Sequence, residues 1–337
     1  MRVMIISITE QGEKIADKIY NKFKNDPRVI KVSKFHKNVK SVLKKYFKEY
    51  DVIIGIMATG IMVRSIVNLL SKKYKDPGVI VIDDAGKNVI SLLSGHLGGA
   101  NELTKEIAEI INANPVITTS TDVHGFVGID SLAKKYYWKI LNPELIVEFN
   151  SAILKNKTIK LLSRKNLRYI FKNPKISRSY SWEMADVDGI QAILNNKKLK
   201  MVPLNLVIGI GTKKNIEKRK VIEAINDAVE ILKIDIKRID ALATGEMKKN
   251  EVGLLDTAKE LNLPLLLVKK EELKNKNYPS DSKFVRKKFG IGSVCEPAAL
   301  HVAGKNSQLI LRKITRDGVA VAAAVGEGNL KGNKVTS

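Results

Sequence analysis

Apolar runs alternate with helix-like repeats from the first residues onward. Runs at 3–8, 29–32 and 51–57 enclose amphipathic repeats over 12–23 and 39–47. Unbroken apolar strands alternating with helices predict a parallel sheet covered on both faces. The alternation continues through a helix to Tyr74, the turn Lys75-Asp76-Pro77-Gly78, and strands at 79–82 and 89–93. A helix then carries Leu103, Ile107, Ile110 and Ile111 on one face, and a strand follows at 115–120. A helix from Ile129, with Leu132, Tyr136 and Ile140 in step, closes a first domain at residue 141.

Between 142 and 203 the periodicity weakens and basic and polar residues crowd in, with Asn195-Asn196-Lys197-Lys198 reading as a hairpin tip. A small, mainly β middle segment or linker is expected there. The α/β rhythm restarts at Leu204. Gly209-Ile210-Gly211-Thr212 reads as a tight turn before a helix over 216–232, with further elements at 236–242, 251–261, 264–268 and near 284–289. A helix entered through Pro297 and ended by Gly304, then strands at 308–314 and 319–325, complete the pattern. The expected architecture is α/β: two domains with largely parallel sheets, 1–141 and 204–326, joined by a middle segment, 142–203, and followed by a frayed tail, 327–337.

One stretch breaks the pattern. Ser94-Gly95-His96-Leu97-Gly98-Gly99-Ala100-Asn101 places three glycines and an imidazole between a strand and a helix. Glycine lets a ligand approach the main chain, and free N–H groups at a helix start favour an anion, so a carboxylate or phosphate is the expected guest. Asn101 reads as the helix N-cap. Strand ends after residues 93 and 120 bring Ser94, His96, Thr119, Thr121, Asp122 and His124 towards one sheet edge, the edge where open α/β sheets place ligands. Thr59 and Arg64, after the strand at 51–57, are expected near the same edge, with Arg64 able to clamp a carboxylate. Asp83-Asp84 could pair as acid and base, but a turn uses such residues equally well.

Composition narrows the classes. The chain has 337 residues, 44% of them hydrophobic, which suits packed globular domains. Lys and Arg number 59 against 35 Asp and Glu, a net charge of +24 that attracts polyanions. The lysines are spread over helix faces and aromatics make up 6%, so nucleic-acid binding is not expected. A single cysteine, Cys295, excludes an internal disulfide or a thiolate cluster within one chain, and no apolar run is long enough to span a membrane. A cytoplasmic protein without membrane attachment is expected. The glycines at 209 and 211 lack the third glycine and acidic ribose ligand of a dinucleotide site, and GxxxxGK[ST] is absent. His36 and His301 have no partners at metal-ligand spacing, so no protein metal site is expected.

Ser91 through Asn101, Arg64, Asp76-Pro77 and Val116 through Asp122 resemble the amino-terminal half of the CbiG family of anaerobic cobalamin biosynthesis. Gly209-Ile210-Gly211, Ala243-Thr244, Lys248, Glu251, Gly253-Leu254-Leu255 and Ser293 through Leu300 are similar to its carboxy-terminal, CobE-like half. Ser120, where the family usually has alanine, and Cys295-Glu296-Pro297 depart from that pattern. The resemblance implies cobalt-precorrin-5A hydrolase activity, in which water opens a δ-lactone and a two-carbon fragment leaves as acetaldehyde. Cobalt is carried by the anionic tetrapyrrole substrate, and no other cofactor is implied. On this reading His96 is the base and Asp122 orients or replaces it. Gly95, Gly98 and Gly99 offer amides to the oxyanion, while Arg64, Ser94, Asn101, Thr119 and Thr121 contact substrate. A homodimer and contact with neighbouring pathway enzymes are compatible with this reading. Two alternatives stay open: a carrier of corrinoid intermediates without chemistry, and a nucleotide-dependent enzyme that holds phosphate in the glycine loop.

Overall fold

The computed structural model describes residues 1–72, 74–274 and 292–334. The chain divides into two compact units, Met1–Val202 and Pro203–Ser337. Residues 142–202, all but the last residue of the expected middle segment, therefore belong to the same unit as the first 141.

The first unit contains two sheets. Its first strands and helices are β1 (Arg2–Ser7), α1 (Glu10–Asn25), β2 (Lys31–His36), α2 (Val39–Tyr46), β3 (Val52–Ile56) and α3 (Thr59–Ile66). They are followed by β4 (Gly78–Ile82), β5 (Asn88–Leu93), α4 (Ala100–Ile111) and β6 (Asn114–Val116). The strands form one sheet in the order β2-β1-β3-β4-β5-β6. Strands β1 to β4 are mutually parallel where they pair, and Val3, Ile5, Ile54, Ile80 and Ile82 pack one face against Ile15, Ile19, Phe23 and Ile107 from the helices. The helix expected to reach Tyr74 stops earlier, at Ile66 with a short 3-10 turn to Leu69. There the Ser71 N–H and hydroxyl donate to the Asp76 carboxylate and hold the chain in a loop.

Between β4 and β5 the sheet reverses direction. The two strands pair antiparallel, Ile82 opposite Val89 and Val79 opposite Leu93, and β6 runs parallel to β5. The connection is too short for a parallel crossover, which takes a dozen or more residues. Asp83 fixes it: its carboxylate accepts from the amides of Ala85 (3.0 Å), Lys87 (3.2 Å) and Asn88 (2.5 Å). Asp84 accepts from the Thr9 hydroxyl. The adjacent carboxylates build a turn and do not form an acid–base pair. The reversal also places the end of β5 beside the start of β4, at the opposite edge of the sheet from the loop that begins α3.

The second sheet comprises β7 (Trp138–Ile140), β8 (Ile159–Ser163), β9 (Tyr180–Met184), β10 (Ile190–Leu194) and β11 (Lys197–Pro203), in the order β7-β11-β10-β8-β9. Asn195, at φ 51°, and Asn196 make the two-residue turn of the β10–β11 hairpin. The sheet's core includes Leu161, Ile190, Ala192 and Leu199 together with α5 (Ser120–Val123) neighbours Phe126 and Val127, α6 (Ile129–Lys135) and α7 (Ile146–Leu154). Trp138 is buried in that core and Trp182 packs on it.

In the second unit β12 (Asn205–Thr212), β13 (Ala241–Gly245) and β14 (Leu265–Val268) are parallel, flanked by antiparallel β15 (Lys305–Arg316) and β16 (Val319–Glu327). The glycines at 209 and 211 lie within β12 and not in a turn. A Cβ on Gly209 would lie 1.9 Å from the Cys295 carbonyl oxygen, so the bare backbone is what lets the helix Cys295–Ala303 pack on the strand. The expected frayed tail instead returns as β17 (Asn333–Lys334), which pairs with Leu266 and Leu267 and covers the edge of β14. The helix expected near 284–289 lies outside the described residues. Among the described residues no helix is long and apolar enough to cross a membrane.

The two glycines of β12 should behave differently. Gly209→Ala forces the helix off the strand and should cost about 1–3 kcal/mol. Gly211→Ala meets only ordinary contacts, the nearest at 3.6 Å from Val294 Cβ, and should cost less than about 1 kcal/mol. Chemical denaturation of both variants checks this, and equal costs would contradict it.

Candidate active site

The interrupted stretch leaves β5 through Ser94, a non-glycine residue in the left-handed region at φ 53°. The loop then closes on itself. A Cβ on Gly98 would lie 2.5 Å from the Ser94 carbonyl oxygen and 2.8 Å from the Gly78 nitrogen, so the loop seats directly against the start of β4. Gly99 N–H donates to the His96 carbonyl (2.9 Å) and Asn101 N–H to the Gly95 carbonyl (3.0 Å). Of the three glycine amides expected to face an anion, that of Gly99 is already used by the loop itself.

Asn101 is not the N-cap; that position belongs to Gly99, and Asn101 lies buried in the first turn of α4. Its side chain accepts from Ser91 Oγ (2.6 Å) and donates to Thr119 Oγ1 (3.0 Å) and Asp122 Oδ2 (3.0 Å), joining β5, α4 and the start of α5. Glycine at 95 leaves room for this amide, since a Cβ there would lie 2.4 Å from Asn101 Oδ1.

The loop delivers His96 into a buried cluster of charges. Nε2 lies 2.7 Å from Asp122 Oδ2 and 3.2 Å from Thr121 Oγ1, and Nδ1 lies 2.9 Å from Asp130 Oδ2. Asp130 Oδ1 accepts from Asn150 Nδ2 (3.0 Å), and Asn150 Oδ1 accepts from the Ile129 N–H (2.8 Å). A neutral imidazole has one donor nitrogen and one acceptor, whereas ionised carboxylates only accept, so facing one at each nitrogen requires the imidazolium. Burial alone would lower the His96 pKa, but the hydrogen bonds and charges of Asp122 and Asp130 outweigh it and raise the value to about 9. Burial would likewise raise the Asp122 pKa, and the bond to His96 reverses the direction, holding it below the usual carboxylate range.

The two carboxylates differ in exposure. The Asp130 side chain is 1% exposed and that of Asp122 21%, with Lys105 Nζ 4.0 Å from Asp122 Oδ1. A cavity of about 180 Å³ borders the cluster, with Ser94, His96 and Asp130 at its buried end and Leu97, Ile146, Pro143, Glu144, Tyr74 and Val147 around it.

The structure thus brings together His96, Asp122, Ser94, Asn101, Thr119 and Thr121, with Gly95, Gly98 and Gly99 shaping the loop. Arg64 does not join them. It sits exposed on α3, its Nη1 donating to the Gly60 carbonyl (3.2 Å), on a helix that starts from the opposite edge of the sheet. His124 is an exposed turn residue whose ring contacts the Ser120 carbonyl (2.8 Å). Cys295 is buried in the second unit, and burial pushes its thiol up to about 11. Sequence reasoning missed Asp130 and Asn150. The available signal was an acidic residue three positions before Ala133, on the apolar side of a helix whose Ile129, Leu132 and Tyr136 all point inward. Among the described residues no group of three or more His, Cys, Asp or Glu side chains converges as metal ligands.

Known proteins match this chain throughout its length. Residues 41–122 match the family described as Cobalamin synthesis G N-terminal, and residues 206–324 match Cobalamin synthesis G C-terminus. A relative from Methanocaldococcus jannaschii, named "probable cobalt-precorrin-5A hydrolase", is 34% identical over 96% of this chain and 99% of its own length. The chain belongs to the cobalamin synthesis G family. A further family relative, the cobalt-precorrin-5A hydrolase of Priestia megaterium, is 30% identical over 92% of this chain and 91% of its own. The crystal structure of a cobalamin biosynthesis protein G homolog from Sulfolobus solfataricus superposes with a TM-score of 0.58 at 28% identity, covering 97% of each chain.

Because the folded-state pKa of His96 is raised above 6.5, the stability it confers is fully present below pH 6.5 and is lost as pH rises through about 9. Replacing His96 by Gln leaves a buried carboxylate without its countercharge and should cost about 3–5 kcal/mol near pH 6.5. The gap between wild type and variant should narrow as pH approaches 10, measured by guanidinium denaturation across that range. A gap independent of pH would contradict the imidazolium assignment.

Proposed function

We propose that this chain hydrolyses cobalt-precorrin-5A on the anaerobic route to cobalamin, opening the δ-lactone and releasing acetaldehyde to give cobalt-precorrin-5B. The observation that carries the reading is the likeness to proteins of that name through nearly the whole chain, in a molecule whose motif histidine borders a cavity. Cobalt enters as part of the substrate.

The charge cluster suggests how the chemistry divides. Attack of water on an ester carbonyl needs a proton acceptor and positive charge near the developing oxyanion. His96, already protonated near neutral pH, is unsuited to the role of base expected for it. Its charge, held at the cavity's inner end, suits the oxyanion. Asp122 is the more solvent-reached carboxylate of the cluster and takes the water proton in this reading, with Lys105 and Asn101 keeping it ionised. Opening the ester frees a carboxylate and a hydroxyl. When that hydroxyl loses its proton, the carbon–carbon bond to the macrocycle breaks, acetaldehyde departs, and the electron pair enters the conjugated ring, which takes up a proton.

Acetaldehyde release from purified chain and cobalt-precorrin-5A tests this directly. Asp122→Asn and His96→Gln should each lower kcat/KM about 100-fold or more. In wild type, activity should fall as pH rises through about 9, where the imidazolium is lost. Macrocycle binding with no aldehyde from the wild type would leave the carrier role in place of the enzyme.

A further inference from the structure

The Asp76-Pro77 pair has no part in the chemistry at His96, yet it closes a turn that lines the same cavity. The Asp76 carboxylate accepts from the Ser71 N–H (3.0 Å) and the Ser71 hydroxyl (2.9 Å), and its own N–H donates to the Lys72 carbonyl (3.0 Å). Pro77 then leads directly into β4. So held, the turn sets Tyr74 at the cavity, 43% exposed, with the Lys72 ammonium 5.9 Å from the centre of its ring. A second wall comes from the start of α7 and the residues before it: Pro143, Glu144, Ile146 and Val147, the last 72% exposed. At about 180 Å³ the cavity is smaller than pockets that enclose drug-sized ligands, roughly 300–1,000 Å³. A macrocycle therefore inserts only its reacting edge, and the rest of the ring lies outside, over the mouth.

Resting on the reading above that the ligand is cobalt-precorrin-5A, we propose that Tyr74 and Lys72 bind the part of the macrocycle that stays outside the cavity, and that Asp76 positions them. A flat conjugated ring buries apolar area against an aromatic side chain and gains from offset or edge-on contact between the two π systems. The Lys72 ammonium beside that ring pairs with a peripheral carboxylate of the ligand. Glu144 is the charged residue of the second wall, so this pairing falls on the Tyr74 side. The turn is closed before substrate arrives, which keeps the ordering cost of binding low. His96 and Asp122 act on the ester inside the cavity, while the turn holds atoms that do not change during the reaction. Contacts of that kind lower KM and leave kcat unaltered.

The test follows acetaldehyde release by the full chain, together with titration of the macrocycle by its visible absorbance. Tyr74→Ala should raise KM about 10-fold with kcat changed less than about 2-fold, and Tyr74→Phe should restore most of the lost affinity. Lys72→Gln should raise KM about 2- to 5-fold at low salt, with the difference shrinking as salt is added. Asp76→Ala should raise KM as well, and combining it with Tyr74→Ala should add little, because both act through one contact. An unchanged KM in Tyr74→Ala and Lys72→Gln, or a loss confined to kcat, with the wild type releasing acetaldehyde normally, would overturn this inference and leave the hydrolase reading intact. If the wild type binds the macrocycle and releases no acetaldehyde, the hydrolase reading falls. Equal Kd values for wild type and Tyr74→Ala would then overturn the inference too, and a raised Kd in the variant would uphold it.

Discussion

A buried imidazolium held between two carboxylates is the constraint around which the first unit is built. A carboxylate as buried as Asp130 is tolerated only with a countercharge and with its remaining lone pairs satisfied, and here His96 and Asn150 supply these. The partners come from separate elements: His96 from the loop after β5, Asp122 from α5, Asp130 from α6 and Asn150 from α7. Leu97, next to the histidine, packs on the core of the second sheet. One hydrogen-bonded chain therefore fixes the glycine loop of the six-stranded sheet to the helices covering the five-stranded one.

That constraint changes the chemistry expected from the glycines. A loop rich in glycine before a helix suggests amides open to an anion, but here the glycines allow dense packing and the amides of Gly99 and Asn101 are spent inside the loop. What faces the cavity is a shared positive charge beside two negative ones.

Much of this was legible in the chain. Apolar runs gave the strands of both α/β sheets, and the octet at 94–101 singles out His96, whose contacts with Thr121 and Asp122 follow from two neighbouring strand ends. Arg64 lies away from the expected edge because β4 and β5 pair antiparallel, where an all-parallel sheet would have kept the strand ends together. Residues 83–87 are too few for a crossover, so the hairpin and the change of edge could have been read from spacing alone. Asp130 was hidden for another reason. Its importance depends on an imidazole 34 positions away, and no local pattern encodes a long-range ion pair. The glycines at 209 and 211 misled because a glycine needed under a packed helix looks, in sequence, like one needed in a turn.

His96 is cationic at neutral pH because carboxylates occupy both ring nitrogens. With four histidines in the chain, its ring resonances can be assigned by substitution and followed by NMR as pH is varied. An imidazolium with both nitrogens protonated at pH 7.5 and a midpoint near 9 is expected. Titration near 6.5, with a neutral ring at pH 7.5, would contradict it.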